Sequence, residues 1–340
     1  METVYSINMD YTWADFALGL PYSITFLLIL TVHEFGHYFT AMYHRVKATL
    51  PYYIPLPPYE MFLGTLGAVI RIKSAIYSRK INFDIGIAGP LAGFVVAIAA
   101  LFYGFLTLPD AGYVERIHAA QFQQAGAGSL DIVMGNNILF WFFENFVGDP
   151  SRVPSHHELY HFPILFAAFW SLVFTSINLL PIGQLDGGHV LYGLIGSKKT
   201  SHRSDGDIRA VCRLLHPGNG DAWSTDEHPW ILHRSTLCRY RTYNSVVVLL
   251  FESMRISQAK TAIVAVGIVA VQYVSLLIFP GITGYSGWLL FAAIIGRIMP
   301  VAHPPTQIEE PLSLGRKILG WIALIIFVIC WTPRPIETII

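Results

Sequence analysis

The residues best suited to do chemistry in this sequence are His33-Glu34-Phe35-Gly36-His37. Residues four apart on an α-helix are separated by about one turn and about 40° round the axis, so two imidazoles can reach one tetrahedral ion. Glu34, beside the first imidazole, can reach a water on that ion and serve as general base and then as proton donor. An ion such as zinc lowers the pKa of that water to roughly 7 and polarises a carbonyl. The bare pattern is only moderately specific, and its setting decides the reading. Leu18 to Tyr43 is one apolar run, and two histidines with a carboxylate have little reason to stand in lipid unless they hold an ion or one another.

A catalytic zinc normally takes three protein ligands and leaves one position open. The best candidate for the third is Asp186, in Asn178-Leu-Leu-Pro-Ile-Gly-Gln-Leu-Asp-Gly-Gly-His189. It is a hard anionic ligand at the end of an apolar segment, and two glycines after it let the backbone turn closely around a site. Its alternative role is a helix-terminal cap, and His189 is a lesser rival as ligand. A second match, His157-Glu158-Leu159-Tyr160-His161, follows His156 and lies between Pro154 and Pro163, near Asp149, Ser151 and Ser155. The prolines leave room for one short helical turn close to water. We read it as a polar lead-in to the next apolar segment, with an auxiliary surface metal site as the alternative.

The elements that must position these groups are membrane helices. The 340 residues carry 22 basic and 22 acidic side chains, 54% hydrophobic and 13% charged residues, and a mean hydropathy of +0.50. Soluble domains carry about twice that charged fraction, which argues against a water-soluble enzyme. Neutrality, with a pI near 7.2, removes the concentrated positive field that nucleic-acid binding requires. Cys212, Cys238 and Cys330 have no CxxC spacing, so neither a disulfide framework nor a cysteine zinc site is expected.

A hydrocarbon layer of about 30 Å takes roughly 20 helical residues to cross. Apolar runs predict about six spans: Leu18 to Tyr43, Phe83 to Thr107, Phe162 to Pro181, Ala262 to Phe279, and shorter ones at Tyr285 to Pro300 and Ile318 to Trp331. Residues 1 to 17 contain no Lys or Arg, unlike the start of a cleaved signal peptide, so the first span is expected to be retained. Arg45, Lys47, Arg71, Lys73, Arg79 and Lys80 lie between the first two spans, which puts that connection in the cytoplasm and the amino terminus outside. The ends of the first and third spans then share a membrane face. Between spans one and two, Leu50 to Pro58 has too many prolines for helix, and Gly64 to Ile72 alternates like a strand. A short membrane-associated hairpin is predicted there.

These motifs together resemble the site-2 protease family of intramembrane zinc metalloproteases. The resemblance is carried by His33 to His37, by Asn178 to Gly188 in the form NxxPxxxLDGG, by Gly64-Thr-Leu-Gly67, and by Gly89-Pro-Leu-Ala-Gly93. It covers about residues 18 to 196. It implies an all-α polytopic membrane protein holding one Zn2+ through His33, His37 and Asp186, with Glu34 as base and water arriving from the cytoplasmic side. It further implies that the hairpin with Gly64 and Gly67 offers an edge for an unwound peptide, and that Asn178 holds substrate or orients the site. No segment matches the family's PDZ or CBS modules.

Expected organisation is a catalytic core over 1–197, a polar loop or anomalous insertion over 198–260, and carboxyl-terminal transmembrane helices over 261–340. Within the middle part, residues 202–242 change character abruptly: about a quarter are charged, with four histidines. A cytoplasmic loop, a locally scrambled reading frame and a Cys212/His216/Cys238 metal site are the three readings, in that order. His303, in a proline-rich loop, is read as a cap, and small residues such as Gly267, Ala293 and Gly296 as helix-packing positions. The function expected is an endopeptidase that cleaves transmembrane or membrane-proximal segments of other proteins in the bilayer. A transporter using the same intramembrane groups, or an inactive relative acting as a binding factor, are the rivals. A bacterial inner membrane fits the short chain best, with a plastid membrane second. The sequence carries no signature of oligomeric state, substrate identity or regulation.

Overall fold

The computed structural model describes residues 13–55, 64–122, 131–181, 183–196 and 306–339. Two compact units divide the chain, Met1–Leu180 with Thr306–Ile340, and Pro181–Pro305. Of the expected features, the polar segment 202–242 and the spans at 262–279 and 285–300 lie outside the described residues, so six spans remain an expectation.

In the first unit the apolar runs become helices. They are α1 (Trp13–Tyr43), α2 (Arg79–Leu106) and α5 (Pro163–Asn178), with a fourth, α7 (Leu314–Cys330), arriving from the far end of the chain. Between α2 and α5 stand α3 (Tyr113–Phe122), β3 (Asp131–Met134), α4 (Ile138–Phe146) and a 3-10 turn at Leu159–His161. Among the described residues, α1 from Phe16 and α2 are long and apolar enough to cross a membrane. Their outer faces carry large exposed apolar side chains, including Phe16, Ile24, Leu28, Phe39, Val95 and Leu106, and α7 exposes Ile318, Trp321 and Ile325. Water would penalise such a belt and lipid does not. The described residues are therefore mostly helical, with two membrane-capable helices and an apolar surface suited to lipid.

α5 is the central helix. Every residue from Leu165 to Val173 is buried, the all-round pattern of a helix surrounded by others. Its hydroxyls are satisfied within the helix: Ser171 donates to Ala167 O, Thr175 to Ser171 O and Ser176 to Val173 O. α1 lies parallel to it, with Tyr22 against Phe166 and Phe26 against Phe174. α2 runs antiparallel to both, so that Gly104 near its end meets Leu165 at the start of α5. This register brings the Asn178 end of α5 to about the level of His33.

α1 ends in a Schellman cap. Val46 N–H donates to Ala41 O and Arg45 N–H to Met42 O, with Arg45 held at φ 58°. Val46, Ala41 and Ile85 close over the turn as one buried cluster, the apolar contact that accompanies this motif. The chain leaves the cap as the predicted hairpin. β1 (Tyr52–Pro55) pairs antiparallel with β2 (Thr65–Val69), and Thr49 to Arg71 and Lys73 to Lys47 extend the ladder to its base. The register shifts between Tyr53 and Pro55. Opposite that shift Gly67 stands at φ 113°, a conformation open to glycine, and the Thr65 hydroxyl braces it by accepting from Gly67 N–H.

At the other end of the unit, β3 pairs with β4 (Ile336–Ile339) across some two hundred residues of sequence. Asn137 caps α4 by accepting from Phe140 N–H, and its amide donates to Thr332. α7 is fixed to α2 by Arg316, whose Nε and Nη2 both meet Asp84, at 2.7 and 2.8 Å. His44, just past α1, meets the same carboxylate at 3.0 Å. One acidic side chain thus ties three helix ends together. In the second unit, α6 (Asp186–Ile195) is the described helix.

Candidate metal centre

His33, Glu34 and His37 sit in the inner half of α1, each buried to 7% exposure or less. They are buried because α1 and α2 cross at glycines. A Cβ on Gly36 would stand 2.6 Å from Ala88 O, and one on Gly93 would stand 3.0 Å from His33 Cβ. One on Gly89 would stand 2.5 Å from His37 Cε1 and closer still to Nε2. The Gly89-Pro-Leu-Ala-Gly93 motif is therefore the seat of the histidine pair: α2 gives up two side chains so that two imidazoles fit between helices.

The same turn of α2 orients His37. Ile85 O, one turn before Gly89, lies 2.7 Å from His37 Nδ1. A carbonyl only accepts, so Nδ1 carries the proton and donates. Nε2 keeps its lone pair, which is the arrangement found in metal-ligating histidines. That Nε2 lies 3.1 Å from His33 Nε2. Two nitrogens on one tetrahedral zinc, with Zn–N bonds of ~2.05 Å, stand about 3.3 Å apart. The spacing of the two Nε2 atoms and the tautomer of His37 suit a shared ion, and the donor set fits zinc.

The remaining predicted residues fall as follows. Asn178 is the last residue of α5. Gly64 and Gly67, both at positive φ, flank the start of β2. The hairpin is fastened to α1 by Tyr53, whose hydroxyl lies 2.6 Å from Thr31 Oγ1, two residues before His33. Thr31 spends its own proton on Leu27 O, so Tyr53 is the donor. Asp186 opens α6, in the second unit. Sequence reasoning missed the roles of Ile85 and Gly36; the close glycine spacing on both helices was the available signal.

A family model, Peptidase family M50, matches residues 21–212. The chain belongs to peptidase family M50. This is the site-2 protease family, and the resemblance seen in the motifs holds. The chain is 32% identical over 199 residues to the probable zinc metalloprotease EGY1, chloroplastic, of Arabidopsis thaliana, covering 56% of this chain and 32% of that protein. It is 32% identical over 184 residues to its namesake in Oryza sativa subsp. japonica, covering 52% of this chain and 28% of that protein. To EGY2 of Arabidopsis thaliana, also named a probable zinc metalloprotease, it is 29% identical over 197 residues, covering 58% and 32%. The alignments thus span about a third of the relatives' own length. No solved structure matches the chain. The M50 match includes both histidines, Glu34 and the Asn178 to Gly188 motif, and the relatives' names agree with the zinc-type donor set.

The second HExxH motif does not form an M50-type pair. Leu159–His161 is a single 3-10 turn, so His157 and His161 do not share a helical face. This is the short turn that the flanking prolines imposed. Glu158 and His161 instead approach each other, and His118 of α3 joins them.

Proposed function

We propose that the protein is an intramembrane zinc endopeptidase that hydrolyses peptide bonds in transmembrane or membrane-proximal segments of other proteins. The observation that carries this reading is the buried His33/His37 pair, 3.1 Å apart with His37 Nδ1 turned to Ile85 O. Membership of M50 supports it. Zinc, when bound, would polarise the scissile carbonyl and acidify a water.

His33 and His37 hold the ion through Nε2, and Asp186 supplies the third ligand. Only five residues separate Leu180 from Asp186 in the sequence, and the M50 match takes in this motif. Glu34 takes a proton from the attacking water as its oxygen bonds to the carbonyl carbon. It passes that proton to the amine as the C–N bond breaks. The low exposure of Glu34 keeps bulk water from competing for it.

A helical substrate hides its amides, so the segment must be unwound before attack. The hairpin provides an edge for this: β1 and β2 form a two-stranded sheet, and Gly64 and Gly67 keep side chains off the approach. A strand added there would be delivered beside Thr31 and His33. Asn178 supplies an amide to the bound backbone. The relatives named chloroplastic favour a plastid membrane over the bacterial inner membrane suggested by chain length.

The test is Asp186→Ala in the purified full chain with a reconstituted transmembrane substrate. Zinc content falls by one equivalent and cleavage is lost together. Retention of both would overturn the ligand assignment.

A further inference from the structure

We propose that His118, Glu158 and His161 form a second site for a divalent transition-metal ion, which clips α3 to the turn that leads into α5. The three side chains come from two separated elements and converge. His118 Nε2 lies 3.1 Å and His161 Nε2 3.3 Å from Glu158 Oε2, close to the ~3.3 Å that separates two ligand atoms on a tetrahedral ion. One ligand atom from each residue lies within 4.8 Å of the others.

Hydrogen bonding does not account for the cluster. His161 is fully buried, and neither of its ring nitrogens has a hydrogen-bond partner. Glu158 Oε2, buried too, makes none either. The short distances therefore come without N–H directions aimed at the carboxylate. Left so, the buried imidazole and the buried Oε2 of a partly exposed carboxylate would each bear a cost of desolvation. An ion between them accepts the lone pairs of all three groups. Two imidazoles and one carboxylate suit zinc and its neighbours, and leave a position open to water.

The cluster sits where α3 must be held against the bundle. Tyr113 of α3 packs edge-to-face against Phe162 and its hydroxyl donates to His161 O, so the ion would add a third tie between α3 and this turn. It belongs to the end of the first unit where α2 ends and α5 begins, away from the Gly36 crossing that seats His33 and His37.

The test counts metal in the full chain purified in detergent and equilibrated with Zn2+. His33→Ala/His37→Ala removes the first centre, and that variant retains one equivalent of zinc. Adding His118→Ala, at a partly exposed position, or the isosteric Glu158→Gln, lowers the content at least tenfold. Co2+ in place of Zn2+ gives visible d–d absorption that the same substitutions abolish, and wild type with only His118→Ala drops from two equivalents to one. The proposal is overturned if the His33/His37 variant holds no zinc, or holds zinc that neither substitution removes.

Discussion

Gly89→Ala adds one methyl group at the crossing of α1 and α2, and that methyl lands on the imidazole of His37, a proposed metal ligand. The new Cβ would stand 2.5 Å from His37 Cε1 and closer to Nε2, whereas carbon and nitrogen in contact settle about 3.5 Å apart. The imidazole must therefore move by roughly 1 Å. It cannot do so freely, because Nδ1 is held by Ile85 O on the same turn of α2. Ligand distances tolerate about 0.2 Å, and a 1 Å misplacement costs on the order of 100-fold in rate. Overpacking adds about 1–3 kcal/mol of destabilisation. We expect Gly89→Ala to insert into membranes, to lose one equivalent of zinc relative to wild type, and to cleave a reconstituted substrate at least 100-fold more slowly. Gly19→Ala, on the same α1 with nothing within 4 Å of its new Cβ, serves as control and keeps full activity. If Gly89→Ala holds its zinc and cleaves within threefold of wild type, the glycine does not seat the histidine.

Two further predictions concern the frame. Arg316→Ala removes both bonds to Asp84 and leaves a partly buried carboxylate with His44 alone; unfolding in a denaturing-detergent titration should require about 1–3 kcal/mol less, and an unchanged midpoint would show that α7 is held by apolar packing. The second concerns His156, which lies outside the membrane spans and meets Glu144 Oε1 at 3.0 Å. The Glu144 carboxylate holds the imidazole's pKa above its usual value, against the pull of burial. Protonation is therefore favoured by folding. The pair contributes its full stability below about pH 6.5 and loses it as pH rises through the raised folded value. Melting temperature should fall across that interval more steeply in wild type than in Glu144→Gln, and equal slopes would contradict the pairing.

The active-site half of this architecture is legible because its chemistry is local. His33 and His37 need only one helical turn to meet, and the run from Leu18 to Tyr43 states that the turn exists and that lipid surrounds it. Hydropathy placed α1, α2, α5 and α7 to within five residues at each end. It started α2 late, at Phe83 instead of Arg79, because the first turn is polar and pairs Lys80 with Glu310. The hairpin was readable from prolines on one side and alternation on the other. What escaped was non-local. Nothing in Asp131–Met134 announces that it will pair with Ile336–Ile339, since four residues hold no period and the partner lies in the carboxyl-terminal tail. His118 is forty residues from Glu158 and looks like one more surface histidine until α3 folds back. The glycines of the Gly89-Pro-Leu-Ala-Gly93 motif were visible, but which atoms they make room for is a property of the crossing.

The central claim is that Glu34 moves the proton while His33 and His37 hold the ion. It is tested most directly by Glu34→Gln, purified in full length and assayed with a transmembrane substrate in liposomes. The substitution keeps shape and removes the base. The account predicts unchanged zinc content and a rate at least about 100-fold lower. Proteolysis at the wild-type rate by a variant that still holds its zinc would contradict it.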